Sequence, residues 1–206
     1  MVKDNKRRIV DITFALSIKH GFDNVSIKQI QTESELSAGS IYYYFKDKDE
    51  ILASIMDIYL KDSFHALKNE IKMFNGSLID KIRFIFNYKS NSFNENEIGS
   101  SSIPLNNQFS QKDYWVLLTS IYHEHPESRS VFYEIQKEVY DLYYDLVQEA
   151  IEKNEIRDDI DTRTIVIFIQ TCLKGYLDLW VYQPSCSFDE IVDSNIKMIS
   201  EAIKKR

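Results

Sequence analysis

The twelve residues 37–48, with the sequence SAGSIYYYFKDK, restrict the possible folds more than any other part of the chain. Ser37 can cap a short helix by accepting a hydrogen bond from a backbone N–H group two or three residues later. Gly39 then lies inside that helix, where glycine costs about 1 kcal/mol of helix stability relative to alanine. A glycine is best tolerated there if another molecule must approach the helix backbone closely. Ile41 and Phe45 are four residues apart and can anchor one face to a core. The opposite face is small at its start and rich in hydroxyl groups further on, which suits a DNA groove.

The residues before this helix supply the first half of a helix-turn-helix. Residues 6–20 place apolar side chains at helical spacing and are followed by Gly21, a helix stop. Ser26 with Gln29 three residues later forms a capping box, which predicts the start of a second helix. A short turn over residues 33–36 leads to the tyrosine-rich helix. Two helices joined by a turn of three or four residues have the spacing of a DNA-reading motif.

Residues 6–52 resemble the DNA-binding domain of the tetracycline-repressor (TetR) family of bacterial and archaeal regulators. The residues that carry the resemblance are Ala15, Gly21, Phe22, Ser26, Ile30, Ser37, Gly39, Ser40, Ile41, Tyr42, Tyr44, Phe45, Lys48, Ile51 and Leu52. Ser34 and Glu35 depart from the family, which usually has alanine and glycine in the turn. A left-handed backbone at Glu35 would cost roughly 1 kcal/mol. Residues 154–161 and 175–177 are similar to the family's penultimate helix and its lead-in.

The resemblance implies that the partner is double-stranded operator DNA. Three side chains are expected to hold phosphates: Tyr42, Tyr44 and Lys48. The residues expected to face the groove are Lys28, Ala38, Gly39, Ser40 and Tyr43.

Composition favours an all-α chain. Only 5 glycines and 3 prolines occur in 206 residues, and 44% of the residues are hydrophobic, enough for a sizeable core. We expect an N-terminal three-helix helix-turn-helix domain over residues 1–50, followed by a helical ligand-binding and dimerisation domain over residues 51–206. Cys172 and Cys186 give no disulfide framework, and neither a signal peptide nor a run of transmembrane length is evident. A cytoplasmic location without membrane association is therefore expected.

The net charge of −7 is unevenly distributed along the chain. Residues 1–30 carry 6 lysines and arginines against 3 aspartates, so that the remainder carries a net charge of −10. A basic N-terminal tip would orient the protein toward phosphate. The acidic residues between positions 33 and 50 offset much of this positive charge. The charge permits DNA binding and does not by itself predict it.

The last two predicted helices favour a homodimer. Residues 165–169, with the sequence IVIFI, are apolar all round, as a helix is when it is buried on more than one side. The final helix carries a wide apolar face. In the resembled family these two helices pair with their copies across a four-helix interface, so the predicted interface residues are Ile165, Ile169, Ile196 and Ile199. A monomer with a deep core is the alternative.

The central helices are expected to bind a small-molecule effector. Aromatic residues are plentiful there and could line an apolar pocket, although aromatics at helical spacing are more often core. The predicted lining residues are Trp115, Tyr140, Phe168, Cys172 and Tyr176. A long helix over residues 49–74 begins beside the recognition helix and continues into this region, so it could transmit ligand binding.

An enzyme or a metal protein is the rival class. His123 and His125 are the nearest approach to a metal signature, but residues two apart do not face each other on a helix. No nucleophile motif, phosphate-binding glycine loop or catalytic carboxylate pair is evident, so no catalytic residue, metal or cofactor is predicted. A helical adaptor without DNA binding is a further alternative. The sequence favours a ligand-responsive transcriptional regulator that binds palindromic DNA as a homodimer. A repressor is expected rather than an activator.

Overall fold

The computed structural model describes residues 2–91, 111–183 and 185–205, and these residues form helices without any strand. The α-helices are α1 (Val2–His20), α2 (Ile27–Ser34), α3 (Ala38–Tyr44), α4 (Lys48–Ile55), α5 (Ser63–Met73), α6 (Leu78–Asn91), α7 (Gln111–Glu124), α8 (Arg129–Glu152), α9 (Thr162–Tyr182) and α10 (Phe188–Ile203). A π-helical segment, Met56–Asp62, joins α4 to α5, and the 3₁₀ turn Pro126–Ser128 joins α7 to α8. The predicted all-α fold is confirmed.

The chain divides into two compact units. The first comprises residues 1–64 with the described part of residues 91–133, and the second comprises residues 65–90 and 134–206. The helices of the predicted DNA-binding motif all belong to the first unit. A domain boundary after residue 50 stays a prediction.

The first unit encloses its own hydrophobic core. The largest fully buried side chains there include Ile9, Phe14, Ile30, Ile41 and Leu52, contributed by α1 to α4. The two buried hydroxyl groups of α1 are satisfied inside the helix, since Thr13 donates to the Ile9 carbonyl and Ser17 to the Thr13 carbonyl, both at 2.7 Å. Burial of this apolar face holds the three N-terminal helices against α4, because short helices are marginal without tertiary packing.

The second unit is built around α8, α9 and α10. Val147, Val166, Ile169 and Ile199 are fully buried in it. Of the described helices, α9 alone is long and apolar enough to cross a membrane, judged by length and composition. Core helices of globular proteins meet the same criterion, and one side of α9 is indeed buried in this unit.

Candidate nucleic-acid interface

The start of α2 is fixed by the predicted capping box. The Ser26 hydroxyl accepts from the Gln29 backbone N–H at 3.2 Å, and the Gln29 side-chain oxygen accepts from the Ser26 backbone N–H at 2.8 Å. This reciprocal pair satisfies two N–H groups that the first turn leaves without helical partners. Lys28 follows with its side chain exposed, as a contact to DNA requires.

The turn between α2 and α3 contains the left-handed residue that the sequence suggested. Glu35 has φ 55° and ψ 27°. Its carboxylate lies 3.3 Å from the Arg8 guanidinium of α1. Ser34 just before it is fully buried, where a larger side chain would keep the neighbouring helix away. Glu35 therefore adopts the geometry for which the resembled family uses glycine.

Helix α3 presents a small and hydroxyl-rich outer face. Its cap is Ser37, whose hydroxyl accepts from the Ser40 backbone N–H at 3.1 Å. Ile41 is fully buried, whereas the side chains of Tyr42 and Tyr43 are 55% and 78% exposed. A Cβ atom added at Gly39 would meet only the Ser37 hydroxyl, at 3.9 Å. The chain itself therefore leaves the space beside Gly39 open.

The remaining predicted groove and phosphate residues of α3 are less exposed. Ala38 and Ser40 are half-buried, and the Ser40 hydroxyl is 2.9 Å from that of Ser37. Tyr44 is also half-buried, with its ring edge-on to Tyr43 at a centroid distance of 5.0 Å. All six α3 residues proposed for DNA thus lie on one short helix, with Tyr43 projecting furthest into solvent.

Lys48 has structural partners in addition to its predicted phosphate. Its ammonium donates to the Phe22 carbonyl at 2.8 Å and to the Asp23 carbonyl at 3.3 Å, and lies 4.5 Å from the centre of the Phe22 ring. Desolvation by burial lowers the pKa of Lys48, while the neighbouring carboxylates of Asp23 and Asp49 oppose that shift. Two of its three N–H donors therefore connect α4 to the α1–α2 connection, and phosphate binding stays a prediction.

Two of the acidic residues near α3 have defined roles in capping. Asp47 accepts from the Glu50 backbone N–H at 3.0 Å, which caps α4, and Glu50 accepts from the Lys46 backbone N–H at 2.7 Å. These carboxylates are engaged at a helix N-terminus, where negative charge is favourable. They lower the positive potential near α3 but are needed to begin α4.

A cavity near α3 was not foreseen from the sequence. It has a volume of about 580 Å³ and is lined by Lys6, Arg7, Val10, Tyr44, Ser54, Asp57 and Ile58. Its lining comes from α1, α3, α4 and the π-helical segment, and no local sequence pattern links residues so far apart in the chain. Tyr44, a predicted phosphate contact, is part of its wall.

The predicted effector-binding residues fall in different units. Trp115 is half-buried in α7 of the first unit, where its ring is 5.6 Å from that of Tyr114. In the second unit Tyr140 is half-buried on α8 and Phe168 is 38% exposed on α9. Burial raises the pKa of the half-buried Cys172 thiol. Tyr176 belongs to α9, but its side chain lies outside the described part of the structure, and this residue set stays a prediction.

The structure corrects the choice of dimer residues. Ile165, Ile169, Ile196 and Ile199 are 2%, 0%, 5% and 0% exposed in the single chain. They form the interior of the second unit, so a partner subunit could not reach them without unfolding it. The apolar side chains of the same helices that face outward are Ile167, Phe168, Leu179, Tyr182 and Met198. The hydrophobic pattern of the sequence indicates two apolar faces on α9. The prediction placed the inner of these faces against the partner subunit.

The two histidines considered as metal ligands differ in exposure. His123 is exposed, and His125 follows the end of α7 and turns inward. The ligand atoms of His125, Glu124 and Asp23 lie within 4.8 Å of one another. The sequence drew attention to His125 and missed Asp23, which is remote along the chain.

Comparison with known proteins relates the chain to bacterial regulators. Residues 9–55 match the family model described as "Bacterial regulatory proteins, tetR family". The HTH-type transcriptional regulator AcrR of Shigella flexneri is 22% identical over 194 residues, which cover 91% of this chain and 82% of that protein. YerO, an uncharacterized HTH-type transcriptional regulator of Bacillus subtilis (strain 168), is 25% identical over 194 residues. That alignment covers 91% of this chain but only 60% of YerO, so the chain spans less than two thirds of this relative.

One solved structure has the same fold over nearly the whole length of this chain. A proposed transcriptional regulator from Saccharomonospora viridis, in complex with choline, has a TM-score of 0.78, and the alignment covers 98% of each chain at 18% identity. At this identity the similarity establishes the fold alone. It extends from the helix-turn-helix through the helical C-terminal part.

Proposed function

Because the chain belongs to the TetR family of bacterial transcriptional regulators, we propose that it binds palindromic operator DNA as a homodimer and is released when a small molecule binds its C-terminal domain. It would act as a cytoplasmic repressor and not as an enzyme. The relatives that support this assignment carry names of transcriptional regulators.

The outer face of α3 carries the proposal. Ile41 and Phe45 anchor the helix, with 0% and 3% exposure, and the opposite side offers an open backbone at Gly39 beside exposed tyrosines. A recognition helix needs this combination, because its backbone must approach the base edges while hydroxyl groups contact the flanking phosphates. Lys28 adds an exposed cation at the start of α2.

Exposed apolar side chains on the last two helices support the homodimer. Ile167, Leu179 and Met198 are 49%, 49% and 62% exposed on α9 and α10, and α9 and α10 pack against each other. Large exposed apolar side chains are candidates for contact with a partner. A second copy would cover them and present two recognition helices to a palindromic site.

The effector is proposed to bind in the second unit. Tyr140 and Tyr144 of α8 have ring centroids 6.3 Å apart, and acidic side chains occur on the same helix. Aromatic rings with nearby carboxylates suit a cation, such as the choline bound by the Saccharomonospora viridis protein. A ligand of this kind would release DNA only if it bound the released conformation more tightly than the DNA-binding one.

DNA binding is tested with the fragment upstream of the protein's own gene in a fluorescence anisotropy titration. We expect salt-dependent, sequence-specific binding by the wild type and its loss in Gly39→Leu, because the added side chain fills the space needed by the groove. The fold should be preserved, since the position is open in the free chain. Glu152→Leu, which adds the same side chain at an exposed position on α8, serves as the control. Operator binding by Gly39→Leu equal to that of the wild type would overturn the assignment of α3.

A further inference from the structure

A group of metal-ligating side chains lies in the first unit, where the connection between α1 and α2 meets the end of α7. Asp23, Glu124 and His125 each offer one ligand atom, and these atoms all lie within 4.8 Å of one another. The His125 side chain is only 12% exposed, and its ring is edge-on to Phe22 at a centroid distance of 5.2 Å. We propose that these three residues bind a divalent transition-metal ion, with Zn²⁺ the best suited.

The two ring nitrogens of His125 face different carboxylates. Nδ1 lies 3.1 Å from Glu127 Oε1 with the geometry of a hydrogen bond. Nε2 lies 3.1 Å from Asp23 Oδ1, yet it is buried and has no hydrogen-bond partner among the described residues. If Nδ1 carries the proton and donates to Glu127, the lone pair of Nε2 points toward an anionic oxygen. This arrangement is repulsive unless a second proton on Nε2 or a metal ion lies beside both atoms.

The separation of His125 Nε2 and Asp23 Oδ1 fits a tetrahedral ion. Zinc bonds to nitrogen and oxygen are about 2.0–2.2 Å long, so two such ligands lie roughly 3.4 Å apart. The 3.1 Å between His125 Nε2 and Asp23 Oδ1 is close to this value. Glu124 is exposed and can move toward the ion, and its carboxylate already accepts from the Ser120 hydroxyl at 2.7 Å. Glu127 on Nδ1 supplies the outer carboxylate that orients most metal-binding imidazoles.

The charges of the ligands also favour a dication. Two carboxylate ligands and a neutral imidazole balance a 2+ ion, and a water molecule can take the fourth position. The Lys48 ammonium donates to the Asp23 carbonyl at 3.3 Å and therefore already holds the main chain of this ligand. An ion bound here would join the α1–α2 connection to α7 and stabilise the first unit, whether or not DNA is present.

Cobalt(II) is the probe for the experiment, because its visible d–d absorption reports tetrahedral coordination. The full-length protein is treated with a chelator, titrated with Co²⁺ and then with Zn²⁺. We expect one Co²⁺ per chain, displacement by Zn²⁺, and a higher thermal unfolding midpoint with the metal bound. Asp23→Asn and Glu124→Gln preserve shape and should each weaken Zn²⁺ binding at least tenfold. Glu127→Gln should weaken it by about tenfold, because the amide oxygen that still accepts from Nδ1 lacks the charge of the carboxylate.

His123→Asn is the matched control, because it removes an exposed neighbouring histidine and should leave the affinity unchanged. Circular dichroism of each variant checks the fold. If Asp23→Asn is misfolded, Glu124→Gln at the exposed position still tests the proposal. Absence of Co²⁺ absorption would overturn the proposal and leave His125 and Asp23 as an ion pair. Absorption with the intensity of thiolate coordination would place the ion at Cys172 or Cys186 and overturn it as well.

Discussion

Asp11 is a fully buried carboxylate that connects α1 to the π-helical segment. Its Oδ1 atom accepts from Arg7 Nε at 2.6 Å and from the Tyr59 hydroxyl at 2.7 Å. Tyr114 of α7 donates to the Tyr59 carbonyl at 2.7 Å. Burial, with the nearby Asp11 charge, raises the pKa of Tyr59 well above its usual range, so its hydroxyl keeps the proton that it donates. The polar interior of the first unit therefore depends on groups that α1 contributes.

Lys48 combines a structural role with a predicted DNA contact, and one substitution separates them. Lys48→Met keeps the aliphatic stem near Phe22 but removes the ammonium. The Phe22 carbonyl still accepts from the Val25 N–H at 3.1 Å, so the free energy of unfolding should fall by only about 1 kcal/mol. If Lys48 also holds a phosphate, the slope of log affinity against log salt should become shallower by about 0.9.

Urea denaturation and anisotropy titrations at several salt concentrations measure the two effects of Lys48→Met separately. Lys72→Met, at an exposed position on α5 of the second unit, should change neither. A loss of stability with an unchanged salt slope would assign Lys48 to the fold alone.

At the scale of helices, the sequence predicted local signals better than distant ones. The caps at Ser26 and Ser37 were predictable because they involve residues three apart, and both are confirmed. The helix expected over residues 49–74 is interrupted by a π-helical segment, Met56–Asp62, in which Met56 and Tyr59 are buried. Tyr59 meets Asp11 from a remote part of the chain, and such a contact leaves no trace in hydrophobic periodicity.

Ion pairs join α5 and α6 to α8 within the second unit, and they predict a pH dependence. The hydrogen bond from Lys68 is the largest cause that lowers the pKa of Glu138, and those from Lys153 and Lys81 lower the pKa of Glu149. Because these pKa values are lower in the folded than in the unfolded chain, the stability they contribute is present above the unfolded value and lost as the pH falls through the folded one. The Glu138 and Glu149 side chains are 36% and 41% exposed, so each carboxylate contributes about 0.2–1 kcal/mol.

The measurement is the free energy of unfolding in urea between about pH 6 and pH 3. Glu138→Gln with Glu149→Gln should lower stability at pH 6 and flatten its decline in acid, whereas Glu152→Gln, at the exposed end of α8, should follow the wild type. A double variant that declines as steeply as the wild type would show that other carboxylates account for the acid sensitivity.

At the scale of the whole molecule, assembly depends on which side of α9 faces the partner. Periodicity revealed that residues 165–169 are apolar on two sides, but the packing of α10 against α9 helps to decide which side is interior. Ile169 is fully buried in its own chain, whereas Ile167, two positions away, is 49% exposed. These neighbours offer a matched pair of substitutions with opposite expectations.

Ile167→Asp should leave the fold intact and abolish the dimer, because the charge would be buried without a partner only on association. Operator affinity should fall with it, since a monomer contacts one half-site. Ile169→Asp should instead unfold the second unit, by placing an unpaired charge in its core. Light scattering gives the mass, circular dichroism the fold, and anisotropy the operator affinity of each variant. A wild type that is monomeric at micromolar concentration, or an Ile167→Asp variant that is dimeric and binds DNA normally, would exclude this face of α9 as the interface.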